Sequence, residues 1–285
     1  MIGKFALFIK KIFDWFKSDL CFFNYFVLAF KITNSNIILA TPLILFIFFT
    51  TFYLAFSMVS SINFIIVTLL FILMSAVFFS GWFYSVKLAV NNEYDTKDTF
   101  ALLKSFPVGV GIFFTKYLWL VLLYFMLMFI VTIFTYKSGQ ILIGDIGVSS
   151  SVLLNALSSV ESTTELLKGL SIEQQQKLAY WNLYFLFSTT LYSFLTFLWA
   201  PQLTYRKESV IKALFKSLKK LFAKFFKNLT IFMYLLLIYL LVSVCSALFR
   251  APLIQYLFSI IYFYFLVYAA VLIFLYYKRE FCENE

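Results

Sequence analysis

The chain has 285 residues, of which 63% are hydrophobic and only 13% charged, with a formal net charge of +10. A soluble globular chain is about half apolar and about a quarter charged, so this composition excludes a water-solvated fold and calls for lipid as the solvent. The basic residues are distributed by loop, as membrane topology requires, which argues against nucleic acid as a partner.

Residues 2–17 predict a first surface helix. Ile2, Phe5, Phe8, Ile9, Ile12, Phe13 and Phe16 share one side, and Lys10, Lys11, Asp14 and Lys17 lie opposite. The apolar residues are periodic and no small-residue cleavage site comes after them, so this is not read as a cleavable signal peptide. Asp19 is placed to cap a second short helix through Phe22, Phe23, Phe26 and Phe30, which ends in Thr33-Asn34-Ser35-Asn36. Residues 1–36 therefore read as a cytoplasmic arm.

Six runs are then long enough to span, since about 20 apolar residues cross the hydrocarbon. They are 37–57, 63–86, 111–136, 181–204, 229–249 and 253–277. The first two are joined by little more than 57–61, and the last two by Arg250-Ala251-Pro252, so each pair is expected to be antiparallel. The fold class expected is all-α: a polytopic membrane bundle forming one domain, with three hairpins each preceded by a cytoplasmic amphipathic helix.

Lysine and arginine set the expected orientation. Lys4, Lys10, Lys11, Lys17 and Lys31 lie in the arm, and Lys87, Lys97 and Lys104 come after the second span. Eight more, Arg206 to Lys227, come after the fourth, and Lys278 and Arg279 after the sixth. Both termini are thus expected in the cytoplasm. A Ser158→Cys reporter should label from outside the cell, and native Cys282 should not.

The external segment 137–180 is expected to hold two or three short helices, with capping-box spacing at Ser162–Glu165 and Ser171–Gln174. The last should run into the fourth span at Tyr180-Trp181. Trp82, Trp181 and Trp199 sit at span ends, where the aromatic belt is expected.

Residues 205–228 carry the strongest local pattern. Ile211, Leu214, Phe215, Leu218, Phe222, Phe225, Phe226 and Leu229 fall on one helical face. Lys216, Lys220, Lys224 and Lys227 fall opposite, with Lys212 and Lys219 at the edge. That is the pattern of a helix lying in a membrane interface, its lysines among anionic phospholipid headgroups. Its Ala213-Leu214-Phe215-Lys216-Ser217-Leu218 echoes Ala101-Leu102-Leu103-Lys104-Ser105-Phe106, which also precedes a span. The echo predicts three copies of a surface helix plus hairpin, packed with pseudo-threefold symmetry.

This elbow, together with Trp199-Ala200-Pro201-Gln202 and Leu275-Tyr276-Tyr277-Lys278-Arg279, resembles a broad group of six-span bacterial membrane proteins. The group includes the membrane region joined to some glycerophosphoryl diester phosphodiesterases. The resemblance implies an architecture and a multi-pass location in the bacterial cytoplasmic membrane. It implies no catalytic residue, because the phosphodiesterase activity resides in a separate soluble domain.

The chemistry available is narrow. Every Asp and Glu falls outside the six runs, and the chain has no histidine. An ionisable group buried in the bilayer costs about 2.5–3.5 kcal/mol on insertion scales and is usually there for function, so proton-coupled transport through buried carboxylates is disfavoured. Serine–histidine catalysis is excluded, a histidine-ligated zinc site is disfavoured, and no phosphate loop is present. No cofactor or metal is expected. Glu93, Asp95 and Asp98 read as a solvated turn more readily than as a divalent-ion site. Asn182, Thr189, Ser193 and Thr196 fall along one side of the fourth span, as helix-packing hydroxyls or as one wall of a polar groove.

Two functions are expected from different classes. The first is a non-enzymatic membrane protein organising lipids or membrane-protein partners, with Lys212, Lys216, Lys219, Lys220, Lys224 and Lys227 as headgroup contacts. The alternative is a permease or lipid or small-solute transporter without buried ionisable groups. An intramembrane enzyme comes last.

Overall fold

The computed structural model describes residues 23–57, 61–92, 100–148, 152, 166, 168–249 and 251–283. The first expected surface helix, the Glu93–Asp98 cluster and the Ser162–Glu165 box lie outside them. The described chain is helical, without a strand. In order come α1 (Phe23–Ser35), a 3₁₀ turn (Ile37–Leu39), α2 (Ala40–Ser57), α3 (Ser61–Asn91), α4 (Ala101–Leu142) and α5 (Ile172–Thr196). After these come α6 (Trp199–Arg206), α7 (Val210–Ala223), α8 (Phe225–Leu248) and α9 (Pro252–Phe281). Among the described residues, five helical stretches are long and apolar enough to cross a membrane. A sixth is obtained if α1 and the helix after it, bent by 80°, count as one broken span. The protein is therefore a multi-pass membrane protein by length and composition of its helices.

The 80° bend has a local cause. Asn36 turns its amide back onto the Ile32 carbonyl at 2.8 Å, closing the end of α1. A 3₁₀ turn then re-aims the chain, and Pro42 in the first turn of α2 needs no intrahelical donor. The buried Trp82 indole donates to the Leu39 carbonyl at 2.9 Å and so ties the bend to α3. Trp82→Phe should leave that carbonyl unpaired and cost about 1–2 kcal/mol, read as a lower thermal midpoint in detergent. An unchanged midpoint would show that water replaces the indole.

The chain divides into two compact units, one of residues 1–122 and 196–285, the other of residues 123–195. In the first, the core is the second half of α9: Val271, Leu272, Phe274, Tyr276 and Tyr277 are at most 1% exposed. The first half of α9 carries exposed Leu253, Tyr256, Leu257, Ile260 and Ile261, the surface a span offers to lipid. The α8–α9 hairpin is held in register by Tyr234–Tyr268, Tyr239–Tyr262 and Ser246–Gln255 contacts. Gln255 donates to the carbonyls of Ser246 and Phe249 at 2.6 and 2.5 Å, capping the C-terminus of α8.

The second unit is an antiparallel pair formed by the end of α4 and most of α5. Tyr192 donates to the Tyr124 carbonyl at 2.8 Å, Ser138 meets Tyr184 at 2.8 Å, and Trp181 lies over Gly139. The Ser171–Gln174 capping box forms reciprocally, at 3.0 and 3.2 Å. The last helix expected in the 137–180 loop is the first turns of α5, continuous with the span. On the other side of the loop α4 runs six residues past the expected end at 136, carrying Lys137 and Gln140.

The echoed hexapeptides behave alike locally. Ser105 and Ser217 each bond the carbonyl three residues back, at 2.7 and 2.8 Å. They differ in the helix to which each belongs. Residues 101–106 are the first turns of the 42-residue α4, which continues through Pro107. Residues 213–218 lie in a separate helix that breaks at Lys224. The second copy is thus not a separate surface helix.

Candidate functional site

The site is built around α7. Lys207, in the left-handed conformation at φ 52°, ends α6 and reverses the chain. The Trp199 indole spans the reversal and donates to the Val210 carbonyl at 3.0 Å. At the other end, Asn228 of α8 donates to the carbonyls of Leu221 and Lys220 at 2.8 and 3.3 Å, closing α7 where it breaks into α8. Both ends of α7 are therefore fixed by buried side chains.

The face that α7 turns inward is narrow, with one hydroxyl among apolar residues. Val210, Ala213, Ser217 and Leu221 are buried. The apolar face faces outward: Ile211, Phe215 and Phe222 are 58%, 67% and 59% exposed, and Phe226 in the first turn of α8 is 66% exposed. A soluble protein would dock the opposite face. Here the phenylalanines are left for a medium other than the protein.

Two polar networks flank the inward face. In the first, Glu280, 8% exposed near the end of α9, receives Lys224 at 2.5 Å, Lys227 at 3.2 Å and the Tyr25 hydroxyl at 3.0 Å. Lys224 also donates to the Glu280 carbonyl at 3.1 Å. In the second, Lys220 donates to the Tyr277 hydroxyl at 2.9 Å, and Tyr277 donates in turn to Gln202. Gln202 and Tyr277 are at most 1% exposed. Gln202 continues to Glu208 at 3.5 Å, and Lys216 closes the chain on the same carboxylate. The Lys216 hydrogen bond holds the Glu208 carboxyl below the ordinary carboxylate range. That contact is therefore intact at neutral pH and is lost as pH falls through the lowered value. Lys220 and Lys224 also lie 5.3 and 5.1 Å from the Phe281 ring centre.

Four of the six lysines expected to meet headgroups, Lys216, Lys220, Lys224 and Lys227, thus have protein partners. Lys212 and Lys219 are exposed. Of the four groove candidates, Asn182 is exposed, Thr189 bonds the Phe185 and Leu186 carbonyls, and Ser193 bonds Thr189's carbonyl at 2.9 Å. Thr196 is half-buried at the end of α5. The Thr189 and Ser193 hydroxyls thus each bond a carbonyl of their own helix. The tryptophans expected at span ends have protein partners. Trp82, Trp181 and Trp199 are 4%, 7% and 1% exposed, and each indole donates to a carbonyl where a helix begins or has just ended.

Sequence reasoning missed Glu280, Tyr25, Gln202 and Tyr277 as one constellation. The available signal was the pair of short segments 199–202 and 275–279, which the fold brings together through Gln202 and Tyr277. Among the described residues no group of three metal-ligating side chains is assembled. Comparison with family models, curated proteins and solved structures finds no match to this chain.

Proposed function

We propose that the protein is a non-enzymatic organiser of lipid at the cytoplasmic face of a bacterial inner membrane, with α7 as its working element. One observation carries this reading: α7 is docked by Val210, Ala213, Ser217 and Leu221 and presents Phe215 and Phe222 outward, with Phe226 exposed in the first turn of α8. A free amphipathic helix loses orientational freedom each time it binds a bilayer. Here the contacts to Glu280, Tyr277 and Gln202 keep the apolar face oriented beforehand, at the boundary where α8 enters the hydrocarbon. Exposed Lys212 and Lys219 flank it, each supplying about 1 kcal/mol of attraction to an anionic surface. The lysine distribution along the chain supports a cytoplasmic position for this end.

Phe222→Trp gives the test. In nanodiscs, its emission should be quenched by brominated lipids and shielded from acrylamide. Phe215→Ser/Phe222→Ser/Phe226→Ser should fold, yet lose the anionic-lipid enrichment of the wild-type annulus. Quenching of the Phe222→Trp indole by acrylamide, with no quenching by brominated lipid, would sink the reading.

A second reading, solute transport, draws on a cavity of about 710 Å³ lined by Ser243, Ser246, Gln255 and Ser259. Specific solute flux in proteoliposomes, abolished by Ser259→Leu, would favour it over lipid organisation.

A further inference from the structure

A second cationic site lies on the other side of the α9 terminus. There α1, the end of α3 and the end of α9 line an open cavity of about 780 Å³. Among the described residues its charged lining is Lys31, Lys278, Arg279 and Glu283. Glu283 stands 3.7 Å from Lys278. The Arg279 guanidinium lies 5.6 Å from the Tyr25 ring centre, which fixes its plane beside the cavity. Asn36 has its amide nitrogen committed to Ile32, and Asn92, at φ 57°, lines the cavity at the end of α3. Behind these polar groups the wall is apolar: Leu28, Ile32 and Leu275.

We infer that this cavity binds a phosphate group carried on an amphiphile, the headgroup of an anionic phospholipid. A forked guanidinium with two flexible ammoniums is the donor set that a tetrahedral phosphate accepts. The apolar wall beside it suits the glycerol and first methylenes of a lipid, and suits a fully hydrated anion poorly. The site is separate from the outward face of α7 and does not depend on its role. Glu280 stands between the two, turned to Lys224, Lys227 and Tyr25.

The test is native mass spectrometry of the full chain with phosphatidylglycerol or phosphatidylcholine, with inorganic phosphate as the soluble competitor. Wild type should retain one phosphatidylglycerol in preference to phosphatidylcholine. Lys31→Gln and Arg279→Gln should each weaken that retention about tenfold, the loss of roughly one charge-assisted hydrogen bond. Arg279→Lys should fall between, and Lys212→Gln/Lys219→Gln on α7 should leave it unchanged. Displacement of the lipid by millimolar inorganic phosphate would support the site with a soluble phosphate as its source. Equal retention of the two lipids with no phosphate competition overturns the inference. So does equal phosphatidylglycerol retention by Arg279→Gln and wild type. Thermal midpoints of Lys31→Gln, an exposed position, separate lost binding from lost fold.

Discussion

Glu280→Gln should lower the stability of the detergent-solubilised protein by about 2–3 kcal/mol and release α7 from the end of α9. The carboxylate is 8% exposed and answers two ammoniums and a tyrosine hydroxyl. Removing one member of a buried ion pair costs about 3–5 kcal/mol when the partner charge is stranded. Lys224 and Lys227 are 34% and 39% exposed, so each can swing toward water, and the expected cost falls below that range. Lys224→Gln and Lys227→Gln should each cost less, because the other lysine remains. The double variant Lys224→Gln/Glu280→Gln should be less damaging than the sum of its parts. Differential scanning fluorimetry reads the stability, and limited proteolysis near Lys224 reads the release. A Glu280→Gln protein within about 0.5 kcal/mol of wild type would show that solvent, and not the carboxylate, satisfies those lysines.

Gly109→Ala and Gly111→Ala should move stability in opposite directions, although they are two residues apart on one helix. A Cβ at Gly109 would stand 2.6 Å from the Tyr84 Cβ and 3.0 Å from the Ser80 carbonyl oxygen. Carbon contacts are comfortable at about 3.5–4.0 Å, and neither atom is the free end of a flexible chain. Overpacking of this kind costs about 1–3 kcal/mol, and the upper part of that range applies. It exceeds the helix propensity gained, about 1 kcal/mol, so the net change is a loss of about 2 kcal/mol. At Gly111 a Cβ meets nothing within 4 Å, and only the propensity remains: a gain of up to about 1 kcal/mol. Thermal midpoints of the two variants decide it. A tolerated Gly109→Ala would mean that α3 and α4 are not held together at this point.

Several elements were legible because their cause is local. Hydrophobic runs of span length announce helices in lipid whatever they pack against, and α3, α8 and α9 fall close to the runs read from sequence. The Ser171–Gln174 capping box needs only residues three apart. The apolar face of α7 is set by helical periodicity alone, and the structure leaves it exposed. The resemblance segments carried a signal too, though not the information that Gln202 and Tyr277 would touch.

Tertiary structure decided which side chains those helices use to bind one another. Glu280 lies at the end of an apolar run, and only the meeting of α1, α9 and the break between α7 and α8 makes it a buried hub. The tryptophans at span ends have the composition of a belt, but Leu39, Gly144 and Val210 carbonyls stand where the indoles can reach them. Four lysines that periodicity assigns to solvent have a carboxylate or a tyrosine hydroxyl opposite them in space. The physical reason is the same in each case. In a chain this apolar, burial of hydrophobic surface distinguishes few arrangements, since lipid solvates it almost as well as protein does. The scarce polar groups cannot be left unpaired, and their partners are set by which helices lie side by side.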